Sequence, residues 1–179
     1  MICVDTMVLV WGVRGEPINP QDAERGMVAR AKAYLAGLDP AIDRILVPSP
    51  VIAELLVPIA DQEQRSALVL REIGSTMVVG QLNLPAAVLA ARITRRNRNA
   101  ARASGSPATR QELRVDALVL GVALANGCRA IVTDDVKGMA ALADGFPIKV
   151  LELPEPPAHQ RPLFPATPSP PAGLVEEEL

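Results

Sequence analysis

Arg114-Val-Asp-Ala-Leu-Val-Leu-Gly-Val-Ala-Leu-Ala-Asn-Gly127, followed at once by Cys128-Arg-Ala-Ile-Val-Thr-Asp-Asp135, decides the fold. Nothing from Ala117 to Ala125 is charged, which predicts a helix buried on most sides. Asn126-Gly127 supplies its stop. Ala130-Ile-Val-Thr133 then reads as a short buried strand that delivers Asp134 and Asp135 at its C-terminal end. Asp116 stands at the other end of the helix. Carboxylates set against this much apolar surface are costly unless a cation or hydrogen bonds compensate them.

The same alternation of strand and helix runs outward through the chain. Met1-Ile-Cys-Val4 is a strand ending at Asp5-Thr6, and Met7-Val-Leu-Val-Trp11 begins a helical turn. Asn19-Pro20 pairs an N-cap with a proline at the first helical position, opening a helix expected to reach about Leu38. Arg44 to Pro48 is the second strand. Ser49-Pro50 repeats the cap-and-proline signal for a short helix over 51–57. A further helix over 61–73 leads to a β-branched strand, Thr76 to Val79. Pro85 to about Ala103 is helical, and Thr109-Arg-Gln-Glu112 fits a capping box for the buried helix. A small helix over 139–142 and a strand over 147–151 complete the pattern. Such alternation predicts an α/β domain, a three-layer α/β/α sandwich with a mainly parallel central sheet. In these sheets the site lies beyond the C-terminal strand ends.

Composition narrows the chemistry. The chain has 179 residues and a hydrophobic fraction of 49%, enough for one core, but aromatics make up only 2%. Recognition by base stacking on aromatic platforms is thereby disfavoured. The single histidine, His159, argues against a His/Cys zinc site or a Ser-His-Asp triad in the body. Cys3 and Cys128 read as buried free thiols. No apolar run approaches membrane-spanning length and Asp5 interrupts a signal-peptide start, so a cytoplasmic protein with no membrane partner is expected. Eight of the residues 154–179 are proline. The organisation expected is a domain over 1–153 and a proline-rich, disordered tail over 154–179. Setting aside the tail's one Arg and four Glu leaves 17 basic and 16 acidic residues, so the body is near neutral and charge acts locally.

Four acids in apolar surroundings stand out: Asp5 after the first strand, Glu54 inside Val51-Ile-Ala-Glu-Leu-Leu-Val57, Asp116 at the buried helix, and Asp135. Parallel topology can gather all four at one edge. Hard oxygen ligands suit Mg²⁺ or Mn²⁺, which can activate water for an in-line displacement at phosphorus. One of Asp134 and Asp135 is expected to serve only as N-cap of the next helix, because adjacent side chains point in different directions.

Val4-Asp-Thr-Met-Val-Leu-Val10, Pro48-Ser-Pro-Val-Ile-Ala-Glu-Leu55, Val115-Asp-Ala-Leu-Val-Leu-Gly-Val-Ala123 and Ile131-Val-Thr-Asp-Asp135 resemble, in the same order, the four signature segments of PIN-domain nucleases. The subgroup most resembled is that of the VapC-like toxins of type II toxin–antitoxin pairs. The resemblance covers about residues 1–153. It implies a PIN-like fold and a Mg²⁺- or Mn²⁺-dependent endoribonuclease. It also implies a cognate antitoxin and a homodimer. The family's metal-binding, catalytic acids fall on Asp5, Glu54, Asp116 and Asp135, with Asp134 the alternative to Asp135. Thr6 and Thr133 match the family's hydroxyl positions. The chain departs from the family in its two consecutive acids, followed by Gly138-Met139 where an Asp-Phe pair is usual, and in a longer stretch over 92–114.

That stretch carries Arg92, Arg95, Arg96, Arg98, Arg102, Arg110 and Arg114 against Glu112 alone, a net of +6 just before Asp116. An arginine-rich surface beside an acidic site can hold RNA phosphates while a metal acts on one of them. Two other readings stay open. One is a catalytically silent RNA- or protein-binding module on the same fold. The other is a phosphatase using Asp5 as nucleophile, disfavoured because Met7 stands where a second aspartate is needed.

Overall fold

The computed structural model describes residues 1–39, 42–104 and 112–155. The tail expected over 154–179 lies outside them from residue 156 on, as does the capping-box residue Thr109. Five parallel strands form one sheet: β1 (Ile2–Val4), β2 (Ile45–Pro48), β3 (Val78–Gly80), β4 (Ala130–Val132) and β5 (Lys149–Leu151), in the order β3-β2-β1-β4-β5. The mainly parallel sheet expected from the sequence is parallel at every pairing. Cys3 stands beside Leu46 on one side and Ile131 on the other. β1, β2 and β4 are buried throughout, as central strands covered on both faces must be, whereas β3 and β5 are partly exposed edges.

Helices connect the strands. After β1 come α1 (Thr6–Leu9), which widens into a π-helical turn over Val10–Arg14, then α2 (Pro20–Glu24) and α3 (Met27–Ala36). After β2 come α4 (Ser49–Leu56) and α5 (Gln62–Ala67), the latter widening over Leu68–Ile73. The hairpin of α6 (Leu84–Ser104) and α7 (Glu112–Ala125) leads from β3 to β4, and α8 (Val136–Ala143) leads to β5. This is the three-layer architecture expected. No helix among the described residues is long and apolar enough to cross a membrane.

Two local expectations are corrected. The helix opened by Asn19, whose side chain does accept from the Asp22 N–H, stops after Glu24 and restarts at Met27. Gly26 breaks it by adopting the left-handed conformation (φ 63°), which costs a residue without Cβ little. Ser49 is not the cap of α4; Pro48 is, and the Ser49 hydroxyl accepts from the Leu82 N–H across to the segment after β3 (3.2 Å). An Ser-Pro pair cannot by itself distinguish the cap from the first helical residue, and strand β2 here runs up to Pro48.

The interior of α7 is as apolar as its sequence requires: Ala117, Val119, Leu120, Val122 and Ala123 are all buried. Gly121 permits a close approach to α6, where an added Cβ would meet the Ala86 carbonyl oxygen at 2.6 Å and the Ala90 Cβ at 2.9 Å. Both cysteines are free and buried, as expected. Burial raises the pKa of each thiol, that of Cys128 to about 11.

One buried acid was not singled out by its sequence context. Asp22, only 3% exposed, accepts from the indole N–H of the fully buried Trp11 (3.2 Å) and from the Ile18 N–H (3.1 Å) through one oxygen. It fastens the loop between α1 and α2 to the core. Asp22→Ala would orphan a buried donor at a cost of roughly 1–3 kcal/mol. Urea unfolding should show a lower midpoint with an unchanged m value, and Asp22→Asn should recover part of the loss.

Candidate active site

The strand order reverses its direction of growth between β1 and β4, and the crevice above that switch point is where a doubly wound sheet offers a site. Asp5 leaves the end of β1 there, its N–H still bonded to the Val132 carbonyl (3.0 Å). Thr133 leaves the end of β4 beside it. The Thr133 hydroxyl, fully buried, donates to one carboxylate oxygen of Asp5 (2.7 Å), and the Thr6 N–H donates to the other (2.7 Å). Asp5 is therefore also the N-cap of α1.

The Asp5 carboxyl titrates above its ordinary value. Burial is the largest cause, and the nearby Asp135 and then Asp134 add to it. The two hydrogen bonds pull the other way without cancelling the rise. Protein donors alone thus leave the anion under-compensated.

Thr6 links a second acid. Its hydroxyl donates to Glu54 Oε2 (2.5 Å), tying α1 to α4, and α4 in turn packs against both α1 and α7. Glu54 is exposed on its helix while Val51 and Leu55 anchor the opposite face in the core. Asp116 is half-buried on the second turn of α7.

Of the paired acids at the end of β4, Asp135 is the N-cap of α8. One of its oxygens accepts from the Gly138 N–H (2.9 Å), and a Cβ at residue 138 would fall 2.1 Å from the other. Gly138 stands where the family resembled usually has an Asp-Phe pair, and its missing Cβ leaves the Asp135 carboxylate room in its capping position. Asp134 instead meets Arg25 (3.4 Å). The capping role therefore falls on the residue preferred from the sequence as the metal-binding acid, although Asp135 is also the acid whose charge Asp5 feels more.

Asp5, Glu54, Thr6 and Thr133 are thus brought together through hydrogen bonds, with Asp134 and Asp135 alongside. Among the described residues, however, no three Asp, Glu, His or Cys side chains share one point closely enough to hold an ion together. The donor chemistry fits a hard divalent cation, since all the groups are oxygen ligands and Asp5 lacks compensating charge.

The arginines divide. Arg92 and Arg95 are exposed on α6, and Arg96 is engaged by the carboxylate and backbone carbonyl of Asp144. Arg98, Arg102, Arg110 and Arg114 lie outside the residues whose side chains are described. Arg25, paired with Asp134 and Glu152 at the acidic edge, was missed. Its only sequence signal was a basic residue in an expected helix, twenty residues from the nearest strand-end acid.

No protein-family model and no curated protein matches the sequence. Solved structures do match the fold. A chain of VapBC2 from Rickettsia felis, determined bound to a DNA fragment from their promoter, has a TM-score of 0.57 at 17% identity, covering 85% of this chain and 98% of that one. The fold is PIN-like. FitAcB from Neisseria gonorrhoeae gives 0.54 at 18% identity over 84% of this chain and 96% of its own. DNA-bound VapBC from Salmonella typhimurium gives 0.53 at 18% over 85% and 97%. Each of these matches covers most of this chain and nearly all of its own, at identities that show a shared fold.

The raised Asp5 pKa has a consequence for stability. Its contribution is fully present below about 3.8, where the carboxyl is protonated both folded and unfolded, and is lost as pH rises through the higher native value. Asp5→Asn should therefore melt at a higher temperature than wild type at pH 7 in the absence of divalent ions. The advantage should shrink to nothing as the pH falls below the ordinary carboxylate range. Thermal melts of both proteins from pH 3 to 8 check this.

Proposed function

We propose that this protein is a divalent-metal-dependent endoribonuclease that hydrolyses RNA phosphodiester bonds, and that it is the toxin of a toxin–antitoxin pair. The observation that carries the reading is the Asp5 carboxylate at the β1/β4 switch point, held by Thr133 and Thr6 and still short of positive charge. The fold is PIN-like, and the segments that carry Asp5, Glu54 and Asp135 lie at that same edge through the Thr6 and Thr133 hydrogen bonds and the charge that Asp135 exerts on Asp5.

Asp5, Glu54, Asp116 and Asp135 would hold Mg²⁺ or Mn²⁺, with Asp134 the alternative to Asp135. Such an ion lowers the pKa of bound water and stabilises charge developing on the phosphoryl oxygens. The chain's own groups do the rest. Thr133 and Thr6 fix the Asp5 carboxylate in one orientation, and Thr6 does the same for Glu54. Arg92 and Arg95, exposed on α6, offer positive charge to the strand, and the remaining arginines of 92–114 belong to the same basic stretch. Scarce aromatics favour reading of backbone and shape over stacking.

An antitoxin partner is supported by neighbours that are VapBC and FitAcB assemblies. The homodimer and the cytoplasmic location rest on the resemblance and the composition described above.

With Mg²⁺ or Mn²⁺ the wild-type protein should cleave single-stranded RNA, and EDTA should abolish the activity. Asp116→Asn and Asp5→Asn should each lower the rate by at least about a hundredfold, the scale on which preorganised charge stabilisation acts. Cleavage that survives chelation and both substitutions would remove the metal mechanism. Calorimetry gives an independent reading: wild type should bind Mn²⁺ more tightly than Asp5→Asn. RNA binding without any metal affinity would favour the silent-module alternative.

A further inference from the structure

Beside the acids stands one guanidinium whose partners are weakly held. Arg25 ends α2, just before the left-handed turn at Gly26, and its side chain is 44% exposed. It reaches Asp134 at 3.4 Å and Glu152 at 3.5 Å through two different nitrogens. Asp134 adjoins Thr133, the residue that hydrogen-bonds Asp5, so the pair with Asp134 ties Arg25 to the end of β4. Glu152 follows β5 and is 58% exposed. Its same oxygen also lies 3.9 Å from Arg30, but Arg30 is committed elsewhere, donating to the backbone carbonyls of Leu153 and Pro154.

Exposed ion pairs at such separations contribute little to stability. The arrangement is thus poorly explained as a stabilising bridge. A guanidinium offers donors in a fork that suits phosphate oxygens, and Arg25 keeps one partner fixed by a strand end and the other on a solvent-facing edge. We infer that Arg25 is a phosphate-binding residue for the RNA strand, and that the Glu152 carboxylate occupies its phosphate-facing side in the free protein. Binding then exchanges one exposed anion for another, and Asp134 keeps the guanidinium aimed at the metal-site edge throughout. This rests on the ribonuclease reading and adds a substrate contact outside the basic stretch at 92–114.

The test uses the full chain, a fluorescein-labelled single-stranded RNA oligonucleotide, and EDTA to prevent cleavage. Anisotropy is measured over a range of salt concentrations. Arg25→Ala should weaken binding about fivefold, the size of one exposed charge interaction. It should also make the salt dependence shallower by about 0.7 in log–log slope, which is one phosphate contact on a single strand. Arg25→Lys should keep the slope and lose part of the affinity. Glu152→Gln, at an exposed position where folding is not at stake, should bind RNA more tightly than wild type. A merely structural role for Arg25 would leave the slope unchanged. If Arg25→Ala and Glu152→Gln both bind like wild type while wild type cleaves RNA with Mg²⁺ or Mn²⁺, the phosphate contact is overturned and the nuclease reading stands. If the Arg25 dependence appears but no RNA is cleaved with either ion, the contact stands and the nuclease reading falls.

Discussion

The hydrogen bond from the Thr133 hydroxyl to the Asp5 carboxylate joins the ends of the two strands that flank the reversal in sheet order. The backbone N–H groups of Asp5 and Thr133 are still bonded to Val132 and Leu151, but the Asp5 carboxylate is desolvated by burial, so the Thr133 hydroxyl and the Thr6 N–H must satisfy it. The rest of the molecule sets up this one contact. β1 and β4 can stand side by side because the crossover through α6 and α7 returns the chain past β2 and β3 to the far side of β1. That crossover requires an interior helix, and α7 serves because it is apolar nearly all round and because Gly121 lets it lie close against α6.

Acidity at the sheet edge has a structural cost that the fold distributes over several neighbours. Asp5 caps α1, Asp135 caps α8, Asp134 meets Arg25, and Glu54 takes the Thr6 hydroxyl. Each carboxylate thus has a local partner, yet the Asp5 carboxyl stays above its ordinary pKa, chiefly because it is buried and to a smaller extent because Asp135 and Asp134 are of its own sign.

Much of this was legible in one dimension. The uncharged run from Ala117 to Ala125, the strand after it and the alternation of helix with strand suffice for a parallel α/β sandwich, because burial and period are properties of local sequence. The strand-end positions of Asp5 and Asp135 followed from the same reading. The continuous helix expected from Pro20 to Leu38 failed at Gly26, where a glycine inside an otherwise periodic segment chose the left-handed turn. The cap expected at Ser49 moved to Pro48 because Ser49 found a partner beyond β3, thirty-three residues away.

By itself, then, the sequence determined the layers, the buried helix and the ends of strands at which acids would appear, since each depends on residues close along the chain. Only the tertiary structure decided which of two adjacent aspartates caps a helix and which meets an arginine, that Asp22 is buried to hold Trp11, and that Arg25 stands at the acidic edge. Those outcomes depend on which distant groups arrive within a few ångströms of one another. Neither periodicity nor composition carries that information, because a hydrogen bond or ion pair is chosen by position in space, and the partners here are up to 128 residues apart.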